Sequence, residues 1–152
     1  MKVSIRKIPD KEKEQVIIEC VEITQEITDI KAYAFLKGTE LSGITDGQHM
    51  VRFRLEDVYY FEALDEKVFA YTKEQVCEVK MRLYEVEKLY EAYHFVRCSK
   101  SVIINLMLLE SISPALNGRF FAHMRNGERV MISRQYAPRL KRIVMGEEEN
   151  EI

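Results

Sequence analysis

The sequence predicts a mostly β protein with short helices, of the α+β class, in which a β-sheet domain follows a small N-terminal α/β element. Three observations support this prediction. Four runs rich in β-branched and aromatic side chains follow one another between residues 49 and 80. An Asn-Gly pair separates two further strand-like runs near the end of the chain. One clearly amphipathic helix, residues 81–92, lies between these two groups of strands.

The first 45 residues are expected to form a strand followed by a helix. Residues 14–24, EQVIIECVEIT, are rich in β-branched side chains and predict the strand. Apolar residues at helical spacing predict a helix that ends at Gly38, and residues 39–47 are rich in turn formers. The chain is therefore expected to divide into a candidate dimerisation or partner-docking element, a main domain and an acidic tail: residues 1–45, 46–146 and 147–152.

The first half of the main domain is predicted to contain four strands, of which the last pairs back with the third. These strands are residues 49–55, 57–63, 67–72 and 74–80. In the helix at 81–92, the apolar side chains at helical spacing are expected to face the core. They are Leu83, Val86, Leu89 and Tyr90.

The second half begins with a buried strand at residues 102–104 and ends with a short helix near Pro138. Between them, Asn126-Gly127 predicts a two-residue hairpin turn, because this pair tolerates the positive φ angles of a type I′ turn. That turn would place Arg119 directly opposite Arg134, where like charges repel. A bound anion would relieve the repulsion, and so would a carboxylate from elsewhere in the fold.

Positive charge is concentrated in the last third of the chain. The net charge is −2, yet residues 95–145 hold nine lysines and arginines against two acids. Such a segment indicates an anion-binding surface, for which nucleic acid is the commonest large ligand, or else a solvated basic face. No apolar stretch resembles a signal peptide or is long enough to span a bilayer, so we expect a cytoplasmic protein.

Little in the sequence indicates catalysis. The three histidines have no obvious Ser, Cys or Asp partner, and the six glycines are isolated in turns and form no phosphate-binding loop. The three cysteines, Cys20, Cys77 and Cys98, are widely spaced and indicate neither a disulfide framework nor a zinc site. We therefore expect no enzyme, no catalytic residue, no metal and no cofactor.

Two polar clusters in the basic segment carry the side-chain types that bind phosphate oxygens and base edges. Each adjoins an apolar run that would hold it in place, although a polar strand end is the ordinary alternative. The first cluster, in RCSKS, consists of Arg97, Ser99, Lys100 and Ser101. The second cluster, in ISRQY, consists of Ser133, Arg134 and Gln135.

These motifs resemble the LytTR DNA-binding domain of bacterial transcription regulators. The resemblance covers roughly residues 46–145 and includes RCSKS, Asn105 in the following apolar run, NGR at 117–119, NGE at 126–128 and the closing SRQY. It implies an elongated, mostly β LytTR-type fold whose loops enter successive major grooves. The base-facing positions then fall on Lys100, on Arg134 and, as the nearest match to the third, on Lys67. Many members of the family have Gly-Asn-Tyr where this chain has Asp65-Glu66-Lys67, so that loop departs from the pattern.

The resemblance also implies how such a protein works. Family members commonly bind direct-repeat promoter sites in double-stranded DNA as two copies, which indicates a homodimer. About 45 residues precede the match, too few for a receiver domain, so the chain is similar to stand-alone LytTR regulators. Some of those are encoded beside a small membrane protein that restrains them. The alternative to a sequence-specific transcription regulator is a protein-interaction module whose basic face docks an acidic partner.

Overall fold

The computed structural model describes residues 1–146, so the acidic tail expected at 147–152 lies outside the described residues. Three α-helices and ten β-strands make up this part of the chain. The helices are α1 (Gln25–Gly38), α2 (Leu83–Tyr90) and α3 (Ala137–Val144). The strands are β1 (Glu40–Ile44), β2 (Met50–Arg54), β3 (Val58–Leu64), β4 (Lys67–Thr72), β5 (Val76–Val79), β6 (Phe95–Arg97), β7 (Val102–Asn105), β8 (Leu109–Pro114), β9 (Phe120–Met124) and β10 (Arg129–Ile132).

The strands form two antiparallel sheets. The larger sheet has seven strands in the order β2-β1-β5-β4-β3-β7-β6, and the smaller has three in the order β10-β9-β8. The prediction of a mostly β fold with short helices is confirmed. The pairing of β5 with β4 is confirmed as well, with Val68 opposite Val79.

Two apolar cores lie on the two faces of the larger sheet. One lies beneath α1 and α2 and includes Leu36, Phe61 and Ile103. The other lies between the larger sheet, the smaller sheet and α3, and it includes Ile104 and Leu140. Successive residues of β7 therefore enter different cores, which explains why this strand reads as a continuous apolar run.

Asn105, at the end of β7, is fully buried. Its side-chain amide donates to the Val58 carbonyl at 2.9 Å, and its side-chain oxygen accepts from the Met107 backbone N–H at 3.0 Å. Both functional groups of the side chain are thus satisfied, as a buried amide requires.

The prediction of a strand at residues 14–24 is wrong, because the described residues contain no strand before β1. Strand propensity is realised only where a neighbouring strand supplies hydrogen bonds and packing, and this segment has neither. The helix that follows is confirmed as α1, capped by the Thr24 side chain, which accepts from the Ile27 N–H at 3.4 Å.

The turn-rich boundary predicted at 39–47 is also wrong, because β1 occupies most of it. β1 pairs with β2 along its whole length and meets β5 at Ile44. Leu36 of α1 lies in the same core as the main sheet. Residues 25–44 are thus part of the main domain. The segment before α1, residues 1–23, is exposed except for the half-buried Ile18, and we call it the N-terminal arm.

The hairpin around Asn126-Gly127 exists, but its predicted register is wrong by one residue. The Met124 backbone N–H donates to the Glu128 carbonyl at 2.9 Å, so the loop consists of three residues, 125–127, rather than two. Gly127 adopts a φ of 88°, as the last position of a three-residue hairpin requires. Arg119 and Arg134 are therefore not a directly opposed pair.

Helix α2 buries Leu83, Val86 and Tyr90 as predicted. The prediction that Leu89 faces the core is wrong, because this residue is 54% exposed. The helix ends at Tyr90, and a tighter helical turn, Glu91–Tyr93, follows it. An apolar residue near a helix end often lies outside the buried stripe, because the stripe narrows where the helix leaves the core.

Candidate nucleic-acid interface

Four loops meet at one end of the two sheets, and we call this region the loop surface. They are the turn at Asp65 and Glu66 between β3 and β4, residues 98–101 between β6 and β7, residues 115–119 between β8 and β9, and residues 133–136 after β10. The Ala63 N–H donates to the Ser101 carbonyl at 2.8 Å. The Ser133 N–H donates to the Cys98 carbonyl at 2.9 Å, which joins the two polar clusters directly.

The 98–101 loop is held from within by Arg97. The Arg97 guanidinium donates to Glu87 Oε2 at 3.1 Å and to the Lys100 carbonyl at 2.7 Å. The Ser99 hydroxyl accepts from the Ser101 N–H at 3.3 Å. These bonds use the polar groups of Arg97 and Ser99 inside the loop, so Lys100 is the residue of this cluster whose side chain extends into solvent.

Cys98 lies buried beneath this loop, and its sulfur contacts β10, the strand that leads into the second cluster. Its thiol donates to the Met131 carbonyl at 3.8 Å. Burial raises the pKa of the Cys98 thiol to about 12, so it stays protonated at neutral pH. A protonated, buried thiol packs as a small apolar group and reacts slowly with oxidants.

Arg119 and Arg134 lie on one shallow hollow even though they are not directly paired. The hollow has a volume of about 480 Å³ and is lined by Asn117, Arg119, Met131, Ser133 and Arg134. Gly118, with a φ of 74°, lies under the Arg134 side chain, where an added Cβ would approach Arg134 Cγ to 3.1 Å. Both arginines are exposed. Two cations on one concave surface favour an anionic ligand between them.

The remaining predicted residues, Lys67, Ser133 and Gln135, lie on the loop surface or at its edge, and the first two are engaged by other groups of the protein. Lys67 is exposed, but its ammonium is 3.9 Å from Glu78 Oε1, and two acids precede it in the β3–β4 turn. Ser133 is half-buried, and its carbonyl accepts from the N–H groups of Tyr136 and Ala137. Gln135 is exposed. The two polar clusters and Arg119 thus lie in or next to joined loops, whereas the Lys67 side chain leans toward Glu78 of β5.

Three residues of this region were not found from the sequence. Asn117 and Met131 line the hollow, and Glu87 pairs with Arg97. Asn117-Gly118 is a second turn-forming pair and could have marked the β8–β9 loop as a tight turn. No local pattern links Glu87 to Arg97, because the pair joins α2 to β6.

Two histidines do have partners in space. His94 Nε2 lies 3.5 Å from Asp29 Oδ1, and His123 Nε2 lies 2.6 Å from the Ser113 hydroxyl. Among the described residues, no group of three or more His, Cys, Asp or Glu is arranged to hold a metal ion. No helix in residues 1–146 is long and apolar enough to cross a bilayer.

The LytTr DNA-binding domain family matches residues 48–145, which include all four loops of the loop surface. The chain belongs to this family. The resemblance drawn from its motifs is thereby confirmed, and the LytTR family is one of DNA-binding domains rather than of enzymes. This chain is thus a DNA-binding regulator.

Relatives and a solved structure agree with this membership. The LytTR chain is 32% identical over 106 residues to uncharacterized HTH-type transcriptional regulators of Staphylococcus aureus, strains bovine RF122 / ET3-1 and NCTC 8325 / PS 47. Each alignment covers 69% of this chain and 70% of the relative. A LytTr DNA-binding domain from Bacillus cereus, described as part of a methyl-accepting/DNA response regulator, superposes with a TM-score of 0.64 at 30% identity, over 71% of this chain and 97% of that one.

Proposed function

We propose that this LytTR protein is a sequence-specific transcription regulator that reads the major groove of double-stranded DNA with the loops around Lys100 and Arg134. The observation that carries the proposal is the hydrogen bond from Ser133 to Cys98, which holds the two loops in a fixed relation. Side chains on loops that are already held rigid lose little conformational entropy when they bind DNA. Recognition of bases also requires a fixed spacing between the side chains that contact them. Both side chains are exposed cations of the kinds that bind guanine edges.

The other residues of the loop surface receive supporting roles in this proposal. Arg119, beside Arg134 in the hollow, would contact a DNA phosphate. Further hydrogen bonds to the sugar-phosphate backbone of the DNA would come from Ser101, Ser133 and Gln135. Arg97 and Ser99 would position the loop, since their polar groups are engaged within it. Lys67 would contribute least, because Glu78 and the two turn acids offset its charge.

The resemblance to stand-alone family members extends the proposal to partners. Two copies would bind adjacent direct repeats of a promoter, each placing its loop surface in a major groove. A small membrane protein is the candidate input partner. If two copies bind adjacent repeats, they should bind cooperatively. The protein should therefore have a higher affinity for a duplex that carries two half-sites than for duplexes that carry one half-site each.

The test is a titration of variants against two duplexes, one selected for binding from a random pool and one scrambled. We expect Lys100→Ala and Arg134→Ala each to remove about 1–3 kcal/mol of discrimination between the duplexes. Thermal melts should stay close to wild type, because exposed truncations change stability by less than about 0.5 kcal/mol. Arg125→Ala is the matched control: Arg125 is an exposed arginine at the opposite end of β9 from the loop surface, so discrimination should be kept.

Two outcomes would contradict parts of this proposal. If Lys100→Ala or Arg134→Ala weakened both duplexes by the same factor, that residue would contact phosphate and not a base. If the wild-type chain bound the selected and scrambled duplexes equally, sequence-specific reading would be wrong. A basic face that docks an acidic protein would then be the better account of the loop surface.

A further inference from the structure

The N-terminal arm contains a strand-like segment without a strand partner. Within the described residues 1–146, residues 15–23 make no hydrogen bond. The apolar side chains of Val16, Ile17, Val21 and Ile23 are 69% to 103% exposed. Residues 14–23 also carry three acids and no lysine or arginine. A β-branched, acidic segment of this kind is expected to pair with a sheet edge that offers positive charge.

The larger sheet offers such an edge at β2. In the described structure β2 pairs only with β1, so one side of its backbone is open. Arg52 and Arg54 project from the exposed face of this strand. Arg54 lies 3.4 Å from Glu56, whereas Arg52 forms no ion pair among the described residues. The edge therefore combines unpaired backbone groups with one uncompensated cation.

The arm leaves the fold far from the β2 edge of its own chain. In α1, just after the arm, Asp29 lies 3.5 Å from His94, which directly precedes β6. β6 and β2 are the two opposite edges of the seven-stranded sheet. Six strand spacings amount to about 29 Å, and nine extended residues span about 30 Å. Crossing the sheet would use the whole segment and leave none of it to pair, whereas a second copy can present its β2 edge directly.

We propose that residues 15–23 of one copy add as an antiparallel strand to the open edge of β2 in a second copy of this chain. The register that places Glu19 beside Arg52 sets Val21 beside Met50 on the exposed face. The same register sets Ile18 beside Phe53 and Cys20 beside Val51 on the core face. Reciprocal exchange of the two arms closes a two-fold dimer off DNA. Two copies on direct repeats are related head to tail, so at most one of the two arm–edge contacts persists there. This interface goes beyond the proposed DNA reading and is tested without DNA.

The charge pairing is tested by sedimentation of the full-length chain. Wild type should be a dimer, and Arg52→Glu or Glu19→Arg alone should weaken it by about tenfold or more, because each reversal acts at both symmetry-related contacts. Mixing the two variants should restore association, since both arm–edge contacts of the mixed dimer then pair opposite charges. Glu12→Arg, in the arm outside the pairing segment, is the matched control and should leave the dimer unchanged. A monomeric wild type would overturn the proposal, as would an Arg52→Glu variant that dimerises like wild type.

The register is tested by cross-linking. Val51→Cys should form a disulfide with the natural Cys20 of a second copy under mild oxidation, because opposed residues of antiparallel strands lie within disulfide range. Cys20→Ser in the same background should abolish the covalent dimer. Met50→Cys is the matched control: it adjoins Val51 on the other face of β2 and should not cross-link to Cys20. A Cys20–Cys20 dimer in wild type, or no dimer in Val51→Cys, would overturn the pairing of arm with edge.

Discussion

Among single residues, Arg97 connects the stability of the fold to the geometry of the loop surface. Its side chain is 14% exposed and bonds both to Glu87 and to the Lys100 carbonyl. An ammonium group cannot reproduce both bonds, since it lacks the planar fork of a guanidinium. We expect Arg97→Lys to lower the free energy of unfolding by about 1–3 kcal/mol. It should also lower the discrimination between the selected and the scrambled duplex, because the loop that carries Lys100 then loses its support. Urea unfolding and DNA titration measure the two effects.

The matched control for Arg97 is Glu85→Gln, which removes an exposed acid from the same helix as Glu87 and should barely change DNA binding. A contrasting result would be unchanged stability of Arg97→Lys together with lost discrimination between duplexes. Arg97 would then contact a base and would not serve as a support for Lys100.

The raised pKa of Tyr71 predicts that the fold loses stability at high pH. Burial, followed by the hydrogen bond to Glu62 at 2.8 Å, raises the pKa of Tyr71 to about 12. Burial, followed by the charge of Glu128, raises the pKa of the stacked Tyr60. An unfolded tyrosine ionises near pH 10, so the fold favours the neutral phenol, and this stability is lost as the pH rises from about 10 to about 12. Urea unfolding across this range should show a shallower decline for Tyr71→Phe than for wild type. The same change at Tyr84, which is 63% exposed, should leave the decline as it is.

At the scale of elements, the β3–β4 turn is the clearest source of strain. Asp65 and Glu66 both adopt positive φ angles, 49° and 66°, with neither glycine nor asparagine at either position. A left-handed conformation costs a residue with a Cβ about 1 kcal/mol, and glycine avoids that cost. We expect Glu66→Gly to raise the free energy of unfolding by about 0.5–1 kcal/mol. Glu74→Gly, in the β4–β5 connection where φ is not positive, should lower it. If both variants were destabilised equally, the turn would not be strained.

The errors of sequence interpretation also belong to this scale. Strand propensity identified β2 to β5 correctly because each has a neighbouring strand, but it failed for residues 14–24, which have no strand partner in the described fold. Asn126-Gly127 marked the hairpin correctly, but the pair suits both two-residue and three-residue loops. Which loop forms depends on packing. The observed register pairs Val130 with Ala122, and both side chains are buried in the second core.

At the scale of the whole molecule, the sequence identified the members of the loop surface but not their arrangement. The two polar clusters stand out in the sequence because polar donors directly adjoin buried strands, and the structure keeps that arrangement. Their contact could not be predicted, because the bond between Ser133 and Cys98 depends on how the smaller sheet packs against the larger one. Nor could the sequence show that the basic segment is divided between two ends of the molecule. Arg119 precedes β9 at the loop surface, whereas Arg125 follows the same strand at the far end.

This division of charge predicts the salt dependence of DNA binding. The exposed cations on or beside the loop surface are Lys67, Lys100, Arg119, Arg134 and Lys141, the last lying 5.9 Å from the centre of the Phe120 ring. Contacts from four or five cations give a slope of log affinity against log salt of roughly −3.5 to −4.5 for each copy. Arg119→Gln should reduce the magnitude of the slope by about 1, whereas Arg125→Gln, the same change at the other end of β9, should leave it unchanged. Equal effects of the two changes would mean that DNA follows the whole basic segment and does not bind at one end. A slope near zero for the wild-type chain would contradict an electrostatic interface altogether.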